Sequence, residues 1–131
     1  MICLRFLASL MMGMSAHEAK ARIPDIETFT ELGDFLQMPV RTYSSGMMIR
    51  LMFAVATSVQ PEILLVDEMF GAGDAAFRDK ARQRMRGLVS EAKIFVFASH
   101  DHELLREHCN RVFELEHGRI TERPLSVLSG G

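Results

Sequence analysis

Ile63-Leu64-Leu65-Val66-Asp67-Glu68 is the stretch that decides the fold. Four consecutive apolar residues that stop at two acids predict a strand buried on both faces of a parallel sheet. A second run of this kind, Ile94-Phe95-Val96-Phe97-Ala98, stops at Ser99-His100-Asp101. Between them lie a Gly/Ala loop, Gly71–Asp74, and a polar helix expected from about Ala75 to Leu88. Strand, helix and strand in that order predict an α/β fold, a class that binds ligands at the carboxyl ends of its strands. If the two strands are parallel neighbours, Asp67-Glu68 and Ser99-His100 share one edge of the sheet.

The pattern continues on both sides. Downstream, a short helix is expected over Glu103–His108, then a strand over Arg111–Glu116, a turn at His117-Gly118 and a hairpin partner over Arg119–Glu122. The last eight residues read as a tail. Upstream, Tyr43 marks a change of character. Ser44 and Ser45 can cap a helix whose body, Met47–Ser58, carries Met48, Leu51, Met52 and Val55 as its apolar stripe and ends before Gln60-Pro61. Asp34–Thr42 reads as a connector that Pro39 keeps from being helix. Before it the chain reads as helical. Ile2–Met12 is apolar on nearly all sides. Ser15 with Glu18 forms a capping box, Pro24 should kink or restart the helix that follows, and Gly33 stands where a helix stops.

Composition bounds the function classes. The 131 residues amount to one ordinary domain or a piece of one. With 15 Lys+Arg against 17 Asp+Glu, the chain is not a nucleic-acid or anionic-lipid binder acting through bulk charge. Two cysteines, Cys3 and Cys109, are too few for a disulfide framework and fit a reducing compartment. No stretch reaches the length of a membrane helix, and Arg5 interrupts the most apolar one, Met1–Met14, which also lacks the basic start and cleavage site of a secretion signal. Ten Met and no Trp read as core packing.

Two adjacent acids at the end of an apolar strand cost free energy unless a cation or donors compensate them. Nucleotide hydrolysis uses such a pair: Asp67 to hold Mg²⁺ through water, Glu68 to orient and deprotonate the attacking water. The bland alternative is a strand that ends in solvated acids. Tyr43-Ser44-Ser45-Gly46-Met47 offers helix-start N–H groups, hydroxyls and a small residue to an anion, or else an ordinary serine cap. His100 can touch a phosphate or be incidental. His17, His102, His108 and His117 lack zinc-type spacing with the cysteines. Gly71-Ala72-Gly73-Asp74-Ala75-Ala76 matches the dinucleotide fingerprint G-x-G-x-x-A, the rival reading. Electrostatics oppose it, because Asp67, Glu68 and Asp74 would crowd a pyrophosphate with no nearby cation, and Glu91 precedes the second strand instead of ending it.

The order of these features resembles the ATPase subunits of ABC transporters over roughly residues 1–123. Tyr43–Met47 is similar to the signature motif usually written LSGGQ, Ile63–Asp67 to the Walker B strand, Glu68 to the catalytic glutamate, Gly71–Asp74 to the D-loop and His100 to the switch histidine. The turn Glu116-His117-Gly118-Arg119-Ile120 also matches. Met38–Met47, with Tyr-Ser-Ser-Gly-Met at its end, resembles the branch that exports O-antigen, capsule or teichoic-acid type polysaccharides; Ser45 and Met47 depart from the general signature but fit that branch. Gly71 and Gly73 depart from the usual D-loop Ser and Leu.

The resemblance implies a partial P-loop NTPase, a RecA-like ABC ATPase core with part of the helical subdomain. Residues 1–42 would belong to that subdomain, 43–123 to the C-terminal half of the core and 124–131 to a tail. No Gly in the chain is followed by Lys, so the Walker A loop is not in this sequence, and the chain alone is expected to be inactive. In a complete protein of the family, two such subunits close head to tail over two ATPs. Ser44, Ser45 and Gly46 would then grip the γ-phosphate held by the partner subunit, and Asp74 would couple the two sites. Asp67 would bind Mg²⁺ through water, Glu68 would polarise water, and His100 would contact the γ-phosphate. Closure would drive transmembrane permease subunits from the cytoplasmic face of the inner membrane, with no nucleic acid involved. The alternative of another class is a non-catalytic remnant, an interaction or regulatory piece.

Overall fold

The computed structural model describes residues 13–67 and 75–129. The helix expected over Ile2–Met12, together with Glu68 and the loop Gly71–Asp74, lies outside the described residues. The chain divides into two compact units: one is Met1–Pro61 with Phe70–Glu91, the other Glu62–Met69 with Ala92–Gly131.

The first unit is helical. Helix α1 spans Ala16–Thr30. Ser15 caps it as expected: its Oγ accepts from the Glu18 amide, and its own amide donates to the Glu18 carboxylate at 2.8 Å. Of the two outcomes expected at Pro24, a kink or a restart, the restart does not occur, since one helix runs through it. Proline removes one backbone bond and crowds the carbonyl four residues before it, and burial of Ala19 on one side of it and Ile26 and Phe29 on the other offsets this and holds both halves in one helix. The helix ends at Glu31, whose φ of 54° is left-handed, two residues before Gly33. Asp34–Thr42 is not plain coil, since 3₁₀ turns form at Gly33–Gln37 and Val40–Thr42. The Tyr43 hydroxyl donates to the Phe35 carbonyl at 2.8 Å and straps this stretch to the start of the next helix.

Helix α2, Ser45–Ala56, buries Leu51 and Val55 of the expected stripe, together with Phe53 and Ala54; Met52 is 43% exposed. Helix α3, Ala75–Glu91, buries Phe77, Met85 and Leu88. The core of the unit is a triangle of rings. Phe29, Phe53 and Phe77, one from each helix, lie 5.6–5.9 Å apart, one pair stacked and two edge-on. Arg84 lies over Phe29 at 3.9 Å and grips Asp25 with both guanidinium nitrogens, at 2.6 and 2.9 Å.

The second unit carries the strands. β1, Ile63–Asp67, pairs in parallel with β2, Ile94–Ala98, with Ile63 opposite Ile94 and Asp67 opposite Ala98. Helix α4, His102–His108, follows, and β3, Val112–Glu116, pairs antiparallel with β4, Arg119–Arg123. The turn residues His117 and Gly118 have φ of 47° and 76°, the left-handed pair that a two-residue hairpin turn requires. Both-face burial of the parallel pair is not found. On one face Val66 is buried and Leu64, Phe95 and Phe97 half-buried. On the other, Ile63, Leu65, Ile94 and Val96 are 51–71% exposed. The apolar run encodes a sandwiched strand, and among the described residues one of the two covering layers is not present.

Candidate functional site

Asp67 ends β1 and is exposed. Its register partner Ala98 ends β2, so Ser99 and His100 leave the sheet at the edge where Asp67 stands. The parallel pairing on which the expected clustering depended is therefore present, with neighbouring strands about 4.8 Å apart. Glu68 and Asp74 lie outside the described residues.

The turn that carries His100 is held from both sides. The Asp101 amide donates to Ser99 Oγ at 3.0 Å, and Asp101 Oδ1 accepts from the Glu103 and Leu104 amides at 2.9 and 3.2 Å. Asp101 is thus the N-cap of α4, and His100 sits between two anchored residues. The signal for this framing in the sequence is a capping acid ahead of an apolar pair, Leu104-Leu105.

Ser44, Ser45 and Gly46 form the start of α2 in the helical unit. Ser44 is the N-cap: its Oγ accepts from the Met47 amide at 3.2 Å and its carbonyl from the Met48 amide at 2.9 Å. Ser45 and Gly46 are the first helical residues, and all three are exposed. Glycine within a helix costs about 0.5–1 kcal/mol against alanine. A Cβ at Gly46 would meet only Ser44 Oγ, at 4.0 Å, an ordinary contact. The described fold therefore has no packing need for glycine here.

The remaining chemistry-bearing groups are placed differently. Cys109 is a free thiol that burial pushes up from its ordinary value, which does not make a nucleophile. His117 lies at the hairpin turn. Among the described residues, no helix is long and apolar enough to cross a membrane.

The described fold and site define an α/β protein with a polar-tipped parallel strand pair and an open, hydroxyl-capped helix start. Comparison with known proteins narrows this class. No family model matches the chain. It is 62% identical over 119 residues to the O-antigen export system ATP-binding protein RfbE of Yersinia enterocolitica, covering 91% of this chain and 50% of that protein. It is 39% identical over 124 residues to the teichoic acids export ATP-binding protein TagH of Lactococcus lactis, covering 93% of this chain and 27% of that one. The O-antigen export system ATP-binding protein RfbB of Myxococcus xanthus is 39% identical over 111 residues, covering 85% and 25%. The chain is thus similar over most of its length to ATP-binding proteins of O-antigen and teichoic acids export systems. It spans about half the length of the first of these relatives and about a quarter of the other two.

Proposed function

We propose that this chain is the part of an export ATPase subunit that supplies the Walker B acids, the D-loop, the switch histidine and the signature turn of a P-loop, RecA-like ABC core. The observation that carries the reading is the parallel register of β1 and β2, which puts Asp67 and the Ser99-His100 turn on one sheet edge. Residues 1–42 belong to the helical subdomain in this reading, 43–123 to the catalytic core and 124–131 to a tail.

The residues fit the groups the family uses. Asp67 is a hard oxygen donor, exposed at a strand end. That suits magnesium, which keeps most of its waters and takes one or two carboxylates plus phosphate oxygens. When bound, the ion neutralises charge on the phosphates of ATP. Glu68, next in sequence, orients the attacking water and accepts its proton at a carboxylate oxygen. His100, on its anchored turn, donates to the γ-phosphate. Ser44, Ser45 and Gly46 offer hydroxyls and helix-start amides to the nucleotide of an opposing subunit in a head-to-tail homodimer. Asp74 links the two sites. The cycle drives a transmembrane permease from the cytoplasmic face of the inner membrane and moves a polysaccharide.

In a full-length subunit containing this sequence, Glu68→Gln keeps shape and loses the base. Hydrolysis should fall by on the order of 10²-fold or more while ATP affinity holds. Ser44→Arg separates the trans role from the cis one. In a heterodimer with one Walker A lysine removed, Ser44→Arg in that same subunit should abolish the remaining activity; in the other it should add little. Equal harm in both placements refutes the trans assignment. The 131 residues tested alone should give no heat with MgATP in titration calorimetry, since no Gly-Lys phosphate loop is among them.

A further inference from the structure

We propose that Arg50 is a positioning residue that locks the first turn of α2, which carries Ser44, Ser45 and Gly46, to the first turn of α3, whose leading residue follows Asp74 directly in sequence. The functional weight of those two turns rests on the reading above; the lock itself rests on geometry within the helical unit.

Arg50 lies in the second turn of α2 and is half-buried. Its Nη1 donates to the Thr30 carbonyl at 3.3 Å. Thr30 is the last residue of α1 and is fully buried. Its carbonyl is one of the terminal four that no intrahelical amide reaches, at the negative end of the helix dipole. The same guanidinium lies over the ring of Phe77, 5.1 Å from its centroid. Phe77 is the third residue of α3, 3% exposed, and packs edge-on against Phe29 and Phe53. One planar group on α2 therefore holds the end of α1 through a hydrogen bond and the start of α3 through its face. A lysine, a point charge with no planar fork, cannot hold both at once.

The aromatic triangle makes this lock stiff. Phe77 cannot shift without repacking two other rings, so a displacement of the first turn of α3 reaches the body of α2 through Phe53 and its second turn through Arg50. Residue 50 is only four positions beyond Gly46, within about one helical turn. The hydroxyl-capped start of α2 and the chain following the Gly71–Asp74 segment thus move as one body.

Amide hydrogen exchange on the 131-residue chain, with Arg50→Met and Arg50→Lys, tests this. Arg50→Met keeps the stem and removes both contacts. It should speed exchange at Met47 and Met48 and at Arg78–Lys80 together, by about fivefold, the effect of losing one net hydrogen bond. The hairpin Val112–Arg123 should be unchanged. Arg50→Lys should lie between wild type and Arg50→Met at Arg78–Lys80, because its ammonium can still sit over the ring. Loosening confined to α2, or spread equally to the hairpin, overturns the proposal. If Arg50→Met does not fold, Phe77→Leu carries the test. It removes the ring face and should still loosen Met47 and Met48; an unchanged α2 start overturns the lock. No nucleotide enters this experiment, so its failure and failure of the ATPase reading are distinguishable.

Discussion

The helical unit and the strand unit treat their apolar side chains in opposite ways. In the first, Ile26, Phe29, Leu51, Phe53, Val55 and Phe77 are all 8% exposed or less, and three rings close the centre. In the second, Ile63, Leu65, Ile94 and Val96 stand more than half exposed on one sheet face, and Leu115 and Ile120 exceed two thirds on the hairpin. The first unit contains both sides of its own core. The second contains strands whose composition asks for cover on both faces. A stretch can thus place polar groups at a strand edge while supplying only part of the layer that covers the strands.

The largest effect is expected from removing a ring of the triangle. Phe77→Ala deletes a side chain that touches both other helices of the unit. It should destabilise the helical unit by about 3–5 kcal/mol, read as loss of exchange protection across α1 and α2. If it costs no more than Leu65→Ala, the helical unit has no independent core and the contrast fails.

The second test sharpens the contrast at the open face. Leu65→Lys with Val96→Glu places opposite charges at two directly paired register positions of that face. Exposed apolar patches on strands drive association. The double variant should lower self-association markedly in light scattering while changing stability by within about 0.5 kcal/mol, as expected for exposed positions. A large loss of stability would mean that the face is covered in solution.

The smallest effect expected is with pH. Glu18 is held below its ordinary value, first by the Ser15 hydroxyl and then by the Ser15 amide. Glu122 is held below its ordinary value, first by its hydrogen bonds from Arg111. A carboxylate with a lowered folded value contributes stability above its ordinary value, near 4.5, and loses it as pH falls through the lowered one. Acid should therefore loosen both the start of α1 and the hairpin, one in each unit, seen as faster exchange at Ser15 and along β3. Ser15→Ala, which keeps the residue-15 amide, should reduce the acid response at α1, Glu18→Gln should remove it, and both should leave the hairpin's unchanged.

Local features were legible in the sequence. The run Ile63–Val66 and its stop at acids, the pairing of Ser15 with Glu18 and the turn at His117-Gly118 are decided by neighbours within a few positions. What was not legible depends on distant partners. Pro24 sits inside a helix because residues on both sides of it are buried together. Met52 faces outward and Phe53 inward because rings on α1 and α3 complete the cluster, and no periodicity within α2 reports that. The half-covered sheet is not legible because an apolar run shows that a strand suits cover on both faces, not which residues supply that cover. Among the candidate residues, Asp67 and His100 were placed on one edge by strand-end reasoning alone. The Ser99 and Asp101 anchors were missed because Asp101 looked like an extension of the polar cluster and not the cap of a helix.

The hairpin turn has a consequence for the order of events as the chain folds. Closing at His117-Gly118, β3 and β4 meet through a loop of two residues, and such hairpins form in about 1–10 μs. β1 and β2 are separated in sequence by the whole of α3 and lie in the two separate segments of their unit. Their pairing has to wait for that long loop to close, which makes it the slow, entropy-limited step. The sheet edge that carries Asp67 and His100 is accordingly assembled late, after the helices and the hairpin have formed.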